Sequence, residues 1–195
     1  MSDPNRLHIS YSAFQFADES WTGRADRWTA TFYTPSAPQV GTAVITRVIP
    51  GVHPNPFEAF DVDPGLLDRI PGVLFTEDGQ LTPVLRDAFG YDPSVLLLLE
   101  SVEVEPEWRG KGVGMSLAVT ALRRLAGAPR SVAVTYPAPI HPQHTDGEEC
   151  PYESDDPEVR RPDELATVAL RKAWAKHGFR PLADGVYALP LRHSA

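Results

Sequence analysis

Between Leu96 and Leu125 the chain reads LLLLESVEVEPEWRGKGVGMSLAVTALRRL. No other stretch limits the fold as strongly. It begins as an apolar, β-rich run and ends as a helix pattern. Between the two lies the basic, glycine-rich segment Arg109-Gly110-Lys111-Gly112-Val113-Gly114. A strand that empties into such a turn and then a helix is a phosphate-binding device. The helix start offers unpaired N–H groups and the positive end of its dipole. Glycines let backbone amides approach an anion with no Cβ in the way. Arg109 and Lys111 add positive charge at the same spot.

Three phosphate-loop patterns compete for this turn. A nucleoside-triphosphate P-loop needs Gly-Lys followed by Ser or Thr, but Gly112 follows Lys111. A dinucleotide fingerprint needs G-x-G-x-x-G, and Leu117 stands at the third glycine position. The pattern R/Q-x-x-G-x-G/A is filled completely by Arg109, Gly112 and Gly114. Together with the preceding Val102-Glu103-Val104-Glu105-Pro106, it resembles the acyl-CoA pyrophosphate loop and fourth strand of the GNAT N-acetyltransferase superfamily. A second likeness is Ala173-Trp174-Ala175-Lys176-His177-Gly178-Phe179, which resembles that family's final helix ending in a Gly-Phe step. The resemblance covers roughly residues 95–191.

The resemblance implies an α/β fold: a mixed, mostly antiparallel sheet with a central splayed parallel pair, flanked by helices. It implies acetyl-CoA as co-substrate. The pantetheine would pair with the backbone of Val102, Glu103 and Val104. The diphosphate would be held by amides from Arg109, Gly110, Lys111, Gly112, Val113 and Gly114. By the same analogy the Val104 amide would polarise the reacting carbonyl.

Composition narrows the class. At 195 residues the chain suits one domain spanning 1–195. The aliphatic run Val95–Leu99 is far too short to span a bilayer. Met1–Arg6 lacks the regions of a signal peptide. The single cysteine, Cys150, excludes an intrachain disulfide. A cytoplasmic protein is expected. The net charge of −8 argues against a nucleic-acid partner, which calls for a basic face. Homodimerisation is left open.

In chain order, Leu7–Phe16, Trp28–Tyr33 and Val40–Ile49 read as strands, the second ended by Pro35 and Pro38. Helix signals start at Asp63-Pro64 and at Thr82-Pro83, the latter stopped by Gly90. They fall after the third strand, whereas the resembled family has helices between its first two. Val95–Glu105, Met115–Ala126 and Ser131–Tyr136 form a strand–helix–strand unit, hence a parallel or mixed sheet. The acidic, proline-rich segment 137–162 reads as an inserted loop. Asp163–His177 reads as a helix capped by Asp163, followed by a hairpin around Ala183-Asp184-Gly185.

Acyl transfer to an amine needs a proton acceptor, oxyanion support and stabilisation of the leaving thiolate. Glu100 and Glu103 are the candidate bases, because they interrupt an apolar strand. Strict alternation would put them on opposite faces unless a bulge intervenes. The resembled family often has a tyrosine acid four residues before the Gly-Phe glycine. Trp174 stands there, and an indole N–H cannot supply a proton near neutral pH. Tyr136 and Tyr152 are candidate replacements. His141, His144 and Cys150 lack a matching second ligand pair, so no metal is expected. The leading expectation is an acetyl-CoA-dependent N-acetyltransferase acting on a small-molecule or peptide amine. The acid-rich loop favours a cationic acceptor. The alternatives are an acyl-CoA-binding sensor or inactive relative, and a nucleotide-binding protein.

Overall fold

The structure is a computed structural model. It describes residues 7–14, 26–52, 69–138 and 157–191, with Phe14, Arg69 and 157–163 as backbone only. The strands are β1 (His8–Phe14), β2 (Asp26–Thr34), β3 (Ala37–Val48), β4 (Val95–Val104), β5 (Ser131–Thr135), β6 (Arg180–Pro181) and β7 (Tyr187–Leu191). They form a 7-stranded sheet in the order β1-β2-β3-β4-β5-β7-β6. Among the described strands only β4 and β5 run parallel. The expected α/β class and mixed, mostly antiparallel sheet are therefore present.

Helices cover both faces, as an apolar central strand requires. On one side lie α3 (Val113–Leu125) and α4 (Pro157–Lys176). Leu117, Ala118, Ala121 and Leu122 of α3 and Trp174 of α4 pack on Phe32, Ile45, Leu97 and Leu99. On the other side lie the short α1 (Arg69–Leu74) and α2 (Val84–Phe89). Their Ile70, Leu74 and Leu85 pack on Val48, Leu96, Leu98, Val132 and Val134. No helix among the described residues is long and apolar enough to cross a membrane.

Two features of β4 shape the rest. Its parallel ladder with β5 runs only from Val95–Ser131 to Leu98–Val134. After it the Thr135 hydroxyl donates to the Leu99 carbonyl at 3.1 Å, and the two strands share no further register. On the other side the β3 register jumps from Ile45↔Leu99 to Val44↔Ser101, so Glu100 is the extra residue of a β-bulge.

Several boundaries differ from the sequence reading. Pro35 does follow the end of β2, but Pro38 lies inside β3. Thr34↔Ala37 and Phe32↔Gly41 bracket an irregular stretch, where a missing N–H costs no ladder bond. Thr82 does not cap α2. Its hydroxyl donates to the Val73 carbonyl at 2.6 Å, and α2 starts after Pro83. Gly90 does end α2, in the left-handed region at φ +80°. Helix α4 begins at Pro157, so 157–162 is helix rather than loop and Asp163 is interior. A proline fits the first helical turn, which puts the start at Pro157. Residues 139–156 of the expected loop, and Asp63-Pro64, lie outside the described residues.

Candidate functional site

Where β4 and β5 part, a cleft of about 870 Å³ opens. This is the size range of small-molecule sites. One wall is the outer half of β4, from Leu99 to Glu105. The other is Thr135 to Ala138, with Leu170, Ala173 and Trp174 of α4. Arg109, Gly110, Gly112, Val113 and Gly114 close one end.

The closing turn is built by local rules. A single 3₁₀ turn, Pro106–Trp108, swings the chain off β4. The Arg109 Nε–H then donates to the Val104 carbonyl at 2.7 Å, folding its side chain back onto the strand end. Gly110 and Gly112 adopt φ +73° and +70°, which a Cβ disfavours. Gly114 is required for a different reason: a Cβ there would sit 2.5 Å from Val104 Cγ2. Its absence lets α3 start directly against β4. The first intrahelical bond runs from the Ser116 N–H to the Gly112 carbonyl at 3.3 Å. The helix itself therefore leaves the amides of Val113, Gly114 and Met115 unpaired at the cleft. Lys111 is exposed and does not line the cleft. Its ammonium sits over the Trp108 ring, 5.3 Å from the centroid.

The β4 backbone presents its own polar groups. The Glu105 N–H bonds the Val40 carbonyl at 2.9 Å, which makes Val104↔Gly41 a non-hydrogen-bonded pair. The Val104 N–H and carbonyl thus point away from β3, toward the open side, and by alternation those of Val102 do too. The backbone of Glu103 pairs instead with Thr42.

The bulge decides the carboxylates. A Cβ at Gly114 would meet Val104 and Val102, so both valines face α3. Leu99 also faces α3, because it packs in that core. The extra residue therefore places Glu100, Ser101 and Glu103 together on the opposite face. Both glutamates line the cleft. Their surroundings differ. Glu100, with its side chain only 7 % exposed, accepts from Arg27 Nη2 at 2.6 Å and from the Thr46 hydroxyl. Glu103 is exposed and has no ion pair among the described residues.

No family model matches this chain, and no curated protein matches it significantly. The site must be read from its own geometry.

Tyr136 directly follows β5 and lines the cleft. Gly185, in the β6–β7 turn at φ +81°, makes room for it. A Cβ there would lie 2.8 Å from the tyrosine ring and 3.0 Å from Arg171 Nη2. Trp174 lines the same cleft but is 5 % exposed, with its ring edge-on to Phe179 at 5.0 Å. Tyr152, His141, His144 and Cys150 lie outside the described residues. Sequence reasoning missed Arg27 and Thr46, the residues that engage Glu100. Arg27 is separated from Glu100 by 73 positions, and nothing local marks it.

Proposed function

We propose that this chain is an acetyl-CoA-dependent N-acetyltransferase of GNAT type that acetylates a primary amine. The observation that carries the reading is the cleft at the end of the β4–β5 ladder. One rim holds the glycine turn and the free amides of α3, suited to a diphosphate. The wall offers the outward backbone of Val102 and the Val104 N–H, suited to an extended amide chain. The opposite rim holds Glu103. On this reading the parted β4–β5 pair is the splayed centre of an acyl-CoA N-acyltransferase fold.

The co-substrate supplies an activated acetyl group on a thiol leaving group. Each residue's part follows from its position. The acceptor's ammonium first gives one proton to bulk water, and Glu103 takes one further proton from the neutral amine as the C–N bond forms. The Val104 N–H donates to the oxygen that gains charge on the acyl carbon. As the C–S bond breaks, the thiolate takes a proton from the Tyr136 hydroxyl or from water. Glu100 is held by Arg27 and Thr46 and shapes the strand. Calorimetric titration with acetyl-CoA, followed by measurement of thiol released in the presence of a primary-amine panel, tests the reading. Binding with amine-dependent thiol release is the expected result. Absence of binding rejects it.

A second reading rests on Trp174. The indole occupies the place where the resembled family carries its acid, and it is buried against Phe179. An acyl-CoA-binding sensor would show binding in the same titration with no thiol release from any amine.

A further inference from the structure

Beside the cleft lies one half of a sheet face, which the cleft meets at Ser101 and Glu103. Ala30, Phe32, Ala43 and Ile45 point into the core under α3, and Ile9 and Tyr11 pack against it. Their strand neighbours Ser10, Ser12, Thr29, Thr31, Thr42 and Val44 therefore point to the other side. The register aligns them into two rows. Ser10 faces Thr31, Thr31 faces Thr42, and Thr42 faces Glu103. Beside it, Ser12, Thr29, Val44 and Ser101 form the second row. Each row ends on a residue that lines the cleft, Glu103 or Ser101. Thr29, Thr31, Thr42 and Ser101 are half-buried, while Ser10, Ser12 and Glu103 are exposed. The apolar cluster beneath α1 and α2 draws on Val48, Leu96 and Leu98 and includes none of these residues. Arg27, on the same face, is neutralised by Glu100, which leaves Glu103 as a carboxylate without an ion pair there among the described residues.

We propose that this hydroxyl-lined half-face is the acceptor subsite, and that its ligand is a polyhydroxylated primary amine. The amine sits at Glu103 and the ligand's hydroxyls run along Thr42, Thr31 and Ser10. The inference rests on the acetyl-transfer reading above and names its acceptor class. A hydroxyl both donates and accepts, so a row of them matches a ligand that does the same. Three strand spacings of about 4.8 Å give the row roughly 14 Å, room for two ring-sized units. An alkyl or aryl amine would cover these hydroxyls without pairing them, and a site built for a substrate hydroxyl discriminates strongly against its absence. The charge agrees: an ammonium approaches Glu103, and Arg27 presents no uncompensated positive charge to repel it.

Glucosamine and cyclohexylamine share a six-membered ring and an amine, and differ chiefly in hydroxyls. Each is titrated into the full chain carrying ¹³C-labelled threonine methyls. Glucosamine should shift the Thr31 and Thr42 signals, and cyclohexylamine should need at least about tenfold more ligand for the same shift. Thr31→Val and Thr42→Val keep shape and strand propensity and should each raise the glucosamine KM about three- to tenfold. The split should fall on KM, with kcat within about twofold. Equal shifts from both amines, no shift at these threonines, or equal shifts from a lysine-containing peptide would overturn the proposal. The titration needs no acetyl-CoA. Threonine shifts without acetyl-CoA binding would defeat the transfer reading and leave the amine site. Acetyl-CoA binding without threonine shifts would do the reverse.

Discussion

The first five residues of β4, Val95–Leu99, are buried, and Leu96–Leu98 among them are paired with a strand on either side. The last five, Glu100–Val104, keep β3 as a neighbour, carry a bulge and two carboxylates, and face the cleft. The two halves are continuous in chain and opposite in use. Where the strand is paired on both sides, its side chains can be uniformly apolar and its backbone has no group left for a ligand. Where β5 departs, backbone groups of Val102 and Val104 turn outward and charge becomes affordable in solvent. An open backbone edge is thus made by ending a ladder, not by adding a loop.

The comparison can be broken most forcefully at Leu97. Leu97→Ala removes a fully buried β4 side chain from the core shared with α3 and should cost about 2–5 kcal/mol. Urea unfolding measures it, and acetyl-CoA affinity of the folded fraction should stay unchanged. Next comes Glu103→Gln, which should lower turnover by about 10²-fold while changing stability by less than about 0.5 kcal/mol. Glu100→Gln should do the opposite, weakening the fold through its lost Arg27 pair more than it weakens turnover. A larger turnover loss at Glu100 than at Glu103, with both variants folded, would reverse the two roles.

Gly112→Asp should weaken acetyl-CoA binding about tenfold, or roughly 1.4 kcal/mol. A carboxylate would face the diphosphate, and the backbone would hold a side chain at φ +70°. Calorimetry on the folded variant reads this directly, and unchanged affinity would remove the turn from the site. The smallest effect is expected at Asp92. Its hydrogen bond from Arg86 holds its carboxyl below the ordinary range, so the pair's contribution is present at neutral pH and fades as pH falls through that lowered value. Both side chains are solvated, and Asp92→Asn should leave Tm unmoved within error.

The sequence by itself determined those features whose causes are local. Apolar runs and glycine stops placed β4, α3 and β5 within a residue or two. The same logic placed α2 and the closing hairpin, because Gly90 and the Asp184-Gly185 turn adopt positive φ. The turn from Arg109 to Gly114 was legible for that reason, and so was the mixed sheet that a strand–helix–strand unit demands. Local signals failed where the partner was distant or the irregularity invisible. Pro38 reads as a strand breaker until β3's register shows an irregular stretch. Pro162 reads as a loop residue until α4 is seen to start at Pro157.

Only the tertiary structure decided the face of the two glutamates. Alternation alone separates Glu100 from Glu103. The bulge against Val44 and Ile45 reunites them, and that bulge exists only in the pairing of β3 with β4. Arg27 and Thr46 then meet Glu100 from two other strands and leave Glu103 as the exposed carboxylate. The hydroxyl rows are likewise a property of register: Ser10, Thr31 and Thr42 are ordinary strand residues in sequence and become one surface when three ladders align them. Backbone torsion is a property of a residue and its neighbours, so sequence carries it. Register and side-chain partnership belong to pairs far apart along the chain, so only the folded sheet fixes them.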